Sequence, residues 1–258
     1  MEKTFKHVVA VFSGKGGVGK STVAANIAET FAKQGNSVGL LDVDLHGPNI
    51  PKLLGLEGIK LEARDNKILP AYYSPNLKVV SIAFMLPTRD TPVIWRGPLK
   101  HKAVSQLLND VDWGELDYLV IDFPPGTGDE ILSVSQLVGK DANAVIVTTP
   151  QELALLDARK AVMFAKQVEM RVAGIIENMS GLICPHCGKE IDLFKKGGGK
   201  KTAEELCVPF LGGIPLDPRI VKLSDDGVLF VDKYPDSPAA VAFSAVCDNL
   251  RKRLEEGA

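Results

Sequence analysis

An α/β fold with a mostly parallel central sheet, covered by helices on both faces, follows from two patterns in the 258-residue sequence. Short apolar runs rich in Val, Leu and Ile, of the kind buried on both faces of a sheet, alternate with longer segments whose Ala, Ile and Leu recur at helical spacing. Two of those runs, Leu40-Leu41-Asp42 and Tyr118-Leu119-Val120-Ile121-Asp122, end in a carboxylate, at the strand ends where such sheets bind their ligands.

The elements come in the following order. His7–Ser13 is a Val-rich buried strand, and the glycine-rich turn after it opens a helix over Lys20–Lys33 that Gly35 stops. Ser37–Asp42 is the second buried strand. Lys60–Phe84 departs from the rhythm, with alternation and Pro and Asn turns, and reads as a hairpin insertion. His101–Leu108 is helical, Asp117–Asp122 and Ala144–Thr148 are strands, and Leu153–Val168 is a helix. Val172–Glu177 is a strand followed by an irregular segment carrying Cys184 and Cys187. The Gly/Lys-rich stretch Phe194–Thr202 does not match phosphate-loop spacing and reads as a solvated flexible loop. Thr202–Cys207 is a helix, Phe210–Ile214 a strand and Ser237–Leu254 a closing helix. Without a low-complexity linker or an internal repeat, residues 1–258 read as one domain with a metal-binding segment near 178–190.

Composition narrows the function classes. Hydrophobic residues make up 45% and charged residues 24%, which rules out disorder as the main state. Thirty Lys and Arg against 32 Asp and Glu give a net charge of −2, so there is no global case for a nucleic-acid or membrane partner. The charged stretch Met1–His7 lacks the apolar core of a signal peptide, and no apolar run reaches the roughly 18 residues of a membrane span. Four cysteines are too few for a secreted disulfide framework; a reducing, cytoplasmic setting is expected. Ala239–Glu256 is amphipathic and contains Arg251-Lys252-Arg253, but Glu255 and Glu256 offset that charge, and a helix docked on the core is the expectation.

Gly14-Lys15-Gly16-Gly17-Val18-Gly19-Lys20-Ser21 matches G-x-x-x-x-G-K-[ST] between a buried strand and a helix start. Glycines let backbone N–H groups turn inward around phosphate oxygens, and the helix N-terminus adds its positive dipole end. Lys20 is placed to reach the β and γ phosphates and the Ser21 hydroxyl to ligate Mg²⁺, with Thr22 beside it. Lys15 cannot readily fold back over phosphates already served by Lys20, so it is expected to point outward, toward a nucleotide held by a second subunit. This form resembles the deviant Walker A class of P-loop NTPases that includes MinD, ParA and the nitrogenase iron protein, in which the early lysine crosses a dimer interface.

Asp42 and Asp44 close the second strand near the phosphates; the resemblance makes Asp44 the residue that orients or deprotonates the attacking water, and a cap on a helix starting near Pro48 is its alternative. Asp122 ends the strand Tyr118–Asp122 and is expected to hold Mg²⁺ through water. The loop Phe123–Asp129 after it mixes rigid Pro with permissive Gly and can respond to a γ-phosphate.

Cys184-Pro185-His186-Cys187 supplies two thiolates, whereas a closed Zn²⁺ site or an Fe–S cluster takes four ligands. The missing pair could come from a second copy of the chain across a two-fold axis. An Fe–S cluster, an interfacial Zn²⁺ and a redox disulfide all remain open on spacing alone. His186 is poorly placed to ligate with both thiols, and Cys207 and Cys247 read as buried core thiols.

The ordered set of motifs resembles the Mrp/ApbC iron–sulfur cluster carrier ATPases, relatives of the Nbp/Cfd scaffolds. It comprises Gly14–Thr22, Asp42–Pro51, Ile94–Pro98, Trp113–Glu130, Val147–Gln151, Glu177–Cys187 and Gly212–Pro218, across nearly the whole chain. The resemblance implies an ATP-dependent homodimer that carries a bridging [4Fe–4S] cluster and gives it to apo iron–sulfur client proteins. It also implies that Asn178 and the Ile214–Asp217 loop, with Pro215 and Asp217, contact adenine. The additional N-terminal domain and N-terminal cysteine cluster of some relatives are not expected here, and Leu99 stands where Met is frequent. Two other classes compete: a positioning ATPase like MinD or ParA, for which the thiols have no use, and a zinc-bridged nucleotide-binding dimer.

Overall fold

The computed structural model describes residues 5–86, 97–184, 187–191 and 193–256. Ile94, Trp95 and Arg96 of the Ile94–Pro98 motif, His186 and Met1–Thr4 lie outside them. From β1 (Phe5–Phe12) the glycine-rich turn leads into α1 (Lys20–Lys33), β2 (Val38–Asp42) and the one-turn helix α2 (Ile50–Leu53). A small hairpin of β3 (Ala63–Arg64) and β4 (Lys67–Ile68) precedes β5 (Ala71–Ser74) and β6 (Leu77–Ser81). Next come α3 (Gly97–Asn109), β7 (Leu116–Asp122), α4 (Asp129–Val138), β8 (Asn143–Thr148), α5 (Glu152–Gln167) and β9 (Arg171–Ile183). The remaining elements are β10 (Glu190–Ile191), α6 (Gly198–Glu205), β11 (Phe210–Leu216), α7 (Pro218–Asp226), α8 (Phe230–Lys233) and α9 (Pro238–Glu255).

The main sheet runs β10-β9-β8-β1-β7-β2-β6-β5, with β11 also paired to β9; β5 and β10 are antiparallel and the other pairings parallel. Strand alternation sends Val9, Val11, Leu40 and Val120 to a core beneath α1 and α9. Ala10, Phe12, Leu41 and Ile121 face the other core, beneath α3, α4 and α5. Both faces are therefore covered, as the unbroken apolar runs require. Helix starts obey local chemistry: Asp217 caps α7 by accepting from Arg219 N, Ser237 caps α9 by accepting from Ala240 N, and each precedes a Pro in the first turn. The closing helix docks through Phe243, Val246, Cys247 and Leu250, a core helix as expected.

Several sequence expectations are corrected. Lys60–Phe84 is not an appended hairpin: β6 joins the main sheet parallel to β2, and only β3–β4 stands apart. The irregular segment after Glu177 is the continuation of β9 to Ile183, because β11 and β10 give its backbone partners there. Phe194–Thr202 is not a free loop; α6 begins at Gly198, and the backbone of Gly197 and Gly199 is tied to Glu177. Cys207 is exposed, since α6 stops at Glu205 and Cys207 takes a left-handed φ of 52° in the turn toward β11. Helices α4 and α7 give little signal in the sequence because Gly and Pro dominate their approaches.

Candidate functional site

Parallel register brings the strand ends together. Asp42 pairs with Asp122, and Asp122 with Val11, so both terminal carboxylates and the turn after β1 share the C-terminal edge of the sheet. In that turn Gly17 and Gly19 each have φ of 82°, which an L side chain rarely adopts. A Cβ on Gly14 would stand 2.1 Å from the Asp157 carbonyl of α5. Gly17, Gly19, Lys20, Ser21, Thr22 and Asp44 line a cleft of about 400 Å³, flanked by Asn49, Lys52 and Pro125. The open backbone of the turn meets the N-terminus of α1, which no side chain caps, so its amides are available to an anion. Lys15 is half-buried at the start of the turn, Gly16 is exposed and Val18 is buried in the core.

Lys20 is 6% exposed. Its Nζ donates to Asp122 Oδ1 at 2.6 Å and lies 3.9 Å from Asp44 Oδ2 and 3.5 Å from Ser21 Oγ. Burial raises the pKa of Asp42, Asp44 and Asp122; the Lys20 charge pulls each of them back. Asp44 does not cap α2: its Oδ1 accepts from His46 N and Gly47 N and so shapes its own turn. Asp42 reaches α2 instead, accepting from Ile50 N at 3.3 Å, from Ser81 Oγ at 3.0 Å and from Asp44 N at 3.1 Å. It thereby organises the loop that presents Asp44. The Oδ2 of Asp122 is buried with no hydrogen-bond partner among the described residues. An unsatisfied carboxylate oxygen near the Ser21 hydroxyl is a hard oxygen donor set, which fits Mg²⁺ and its water shell.

Asn178 on β9 donates from Nδ2 to Val18 O at 2.9 Å and so braces the phosphate turn. A Cβ on Gly19 would meet that amide at 2.3 Å. Asn178 pairs with Ile214 of β11, so Pro215 and Asp217 arrive at the same edge. They do so from a strand end and a helix cap rather than from a loop. The Asp217 carboxylate is occupied by Arg219, which holds its pKa below the usual range, and the Arg219 guanidinium lies 4.1 Å from the Tyr234 ring centre.

The thiols sit at the tip of the β9–β10 hairpin. Cys184 N donates to Lys189 O and Gly188 N to Cys184 O, each at 2.9 Å, turning the chain back on itself. Cys184 is half-buried and Cys187 exposed. Ile183, Ile191 and Leu193 lie exposed nearby. Among the described residues no group of three or more His, Cys, Asp or Glu converges as a metal site. Cys247 is buried, and burial pushes its thiol pKa far up, which suits a core thiol. Glu177 and the organising role of Asp42 are what sequence reasoning missed; the triplet Gly197–Gly199 was the available signal for the first.

Residues 4–251 match the NUBPL iron-transfer P-loop NTPase family. A Saccharolobus solfataricus protein named iron–sulfur cluster carrier protein is 50% identical over 253 residues, covering 98% of this chain and 86% of that protein. A Pyrococcus horikoshii protein of the same name is 51% identical over 266 residues, covering 99% and 89% respectively. The solved structure of a nucleotide-binding protein from Archaeoglobus fulgidus, in complex with ADP and with cobalt found in it, superposes with a TM-score of 0.80 at 43% identity over 93% of this chain and 92% of that one.

Proposed function

This chain belongs to the NUBPL iron-transfer P-loop NTPase family as an iron–sulfur cluster carrier with a nucleotide site, and on that premise we propose its working cycle. It binds and hydrolyses ATP, holds a [4Fe–4S] cluster between two copies of itself and transfers it to apo-proteins. The observation that carries this reading is the course of β9: one strand runs from Asn178, bonded to the phosphate turn, to Cys184 and Cys187 at a hairpin tip. Two thiols per chain and no further converging ligands among the described residues favour a four-thiolate site shared by two chains.

Residues 1–258 act in this reading as one P-loop domain. The turn Gly14–Gly19 and the first amides of α1 cradle the phosphates, and Lys20 neutralises their charge. Ser21 and Asp122 hold Mg²⁺, which when bound offsets charge on the transferred phosphoryl group. Asp44 orients the attacking water, and Lys15 reaches the partner subunit's nucleotide. Asn178, Pro215 and Asp217 border the base. No helix among the described residues is long and apolar enough to cross a membrane. The proposed cycle uses no membrane or nucleic-acid partner, and its setting is the cytoplasm.

Anaerobic reconstitution with iron and sulfide tests this. The expected result is a brown dimer with about four irons per two chains and MgATP turnover. A colourless zinc-bridged dimer, or a chain that hydrolyses ATP and takes up no iron, would overturn the carrier reading.

A further inference from the structure

Glu177 is the buried charge on β9 for which nucleotide and thiol chemistry have no use. It is 1% exposed. Its Oε1 accepts from Ser180 Oγ at 2.5 Å and from Gly197 N at 2.8 Å, and its Oε2 accepts from Gly199 N at 2.6 Å. Amide donors on both oxygens make these charge-assisted bonds, and they sit at the N-terminus of α6, where the helix dipole favours an anion. The glycine triplet is shaped to this contact. Gly197 has φ of 83°; a Cβ on Gly198 would meet Leu155 Cδ1 at 2.6 Å; one on Gly199 would press on Glu177 Cβ at 3.0 Å.

The residues immediately after Glu177 give the contact its purpose. Asn178 holds the Val18 carbonyl of the phosphate turn. Met179 and Gly181 take left-handed φ of 57° and 72°, which kinks β9 between Asn178 and the hairpin. Between Asn178, opposite Ile214, and Leu182, opposite Leu216, the register shifts, so residues 179–181 bulge from the β11 ladder and are held less firmly by it than the paired residues on either side. Ser180 turns back to Glu177, and Cys184 begins the tip. The carboxylate thus joins three positions of the arm, 177, 180 and, by adjacency, 178, to a helix packed on α5.

We propose that Glu177 is a positioning residue for cluster holding and release. Its carboxylate fixes the pivot of segment 178–184, so that a displacement of Val18 at the phosphate turn is passed to Cys184 rather than absorbed within the arm. This rests on the reading that Cys184 and Cys187 hold the cluster.

The test uses the full-length dimer and measures ATP affinity with and without reconstituted iron and sulfide. Linkage makes the ratio of the two affinities the factor by which nucleotide alters cluster retention. The expected wild-type ratio is about 5- to 150-fold. Glu177→Gln sets an amide donor against a backbone donor and should bring the ratio to about one, with iron-free ATP affinity within about twofold of wild type. Ser180→Ala leaves both α6 bonds in place and should give an intermediate ratio. A purely structural role would lower the melting temperature and leave the ratio at its wild-type value, which overturns the proposal. Should Glu177→Gln fail to fold, Ser180→Ala decides: an unchanged ratio there overturns it too. A wild-type dimer that takes up no iron overturns the thiol assignment itself. One that loads iron with a ratio of one leaves that assignment standing and removes the role of Glu177.

Discussion

The Lys20 ammonium donates to Asp122 Oδ1 at 2.6 Å and stands 3.9 Å from Asp44 Oδ2. One cation therefore serves two buried carboxylates at the point where the phosphate turn meets the strand ends. In the proposed cycle an incoming triphosphate would compete with Asp122 for Lys20, while the Asp122 Oδ2, unpartnered among the described residues, would stay free for metal. Lys20→Ala is expected to abolish ATP turnover and to weaken binding by at least about a hundredfold. It also strands the carboxylates, at a cost of about 3–5 kcal/mol in stability. Calorimetric titration and denaturant unfolding measure the two effects separately; near-normal hydrolysis would sink the assignment.

Asp122→Asn keeps the side-chain shape and its contact with Lys20 but removes the anionic oxygen. MgATP affinity should fall about tenfold or more, while ATP affinity in excess chelator changes little. Equal losses with and without Mg²⁺ would show that Asp122 acts through Lys20 alone.

Lys15 and Asp44 serve opposite sites if the early lysine works across the dimer. A Lys15→Ala chain paired with an Asp44→Ala chain then retains one intact site, and heterodimers should recover about half the wild-type turnover. Each homodimer should be inactive. If purified heterodimers stay inactive, Lys15 does not act in trans.

In the proposed shared four-thiolate site, Cys184→Ser and Cys187→Ser would each remove one ligand per chain and two per dimer. Stable iron loading should be lost in both, with ATP affinity of the iron-free chain unchanged, because the hairpin tip lies beyond the residues lining the phosphate cleft. Iron per dimer after gel filtration is the readout, and full retention in both variants would rule these thiols out.

Glu29 of α1 is 4% exposed, and Ser74 Oγ donates to its Oε2 at 2.9 Å. Burial pushes its carboxyl from 4.5 to about 7. Between those values the folded chain keeps a proton that the unfolded chain has lost, so this group favours folding at low pH. That stability is lost as pH rises through the window and stays lost above it. Glu29→Gln keeps an acceptor for Ser74 without the charge. It should stabilise the protein at pH 8 by on the order of 1–2 kcal/mol, after allowance for solvent screening, and by almost nothing at pH 4. Urea unfolding at both pH values checks this; an equal gain at both would mean that packing, not ionisation, is responsible.

The parts legible in the sequence are those whose physics is local. Gly14–Ser21 must come after a strand and open a helix to cradle phosphate, and β1 and α1 supply that context within a few residues. Asp42 and Asp122 end apolar runs, and parallel register alone carries both to one sheet edge. The closing helix is readable because an amphipathic stripe must find a core.

Tertiary structure decided what depends on partners distant in sequence. Asp42, rather than Asp44, reaches α2, because the turn after β2 folds the Asp44 carboxylate back on its own amides. Cys207 lies outside the core because α6 ends two residues short of it. The Lys- and Gly-rich stretch before α6 looks like a free loop until Glu177 is seen to gather its amides from 20 and 22 residues away. Spacing specifies which groups a segment can offer. Which group receives them is set when strands and helices close on one another, since a buried donor or acceptor must be satisfied by whatever the packed fold brings within about 3 Å.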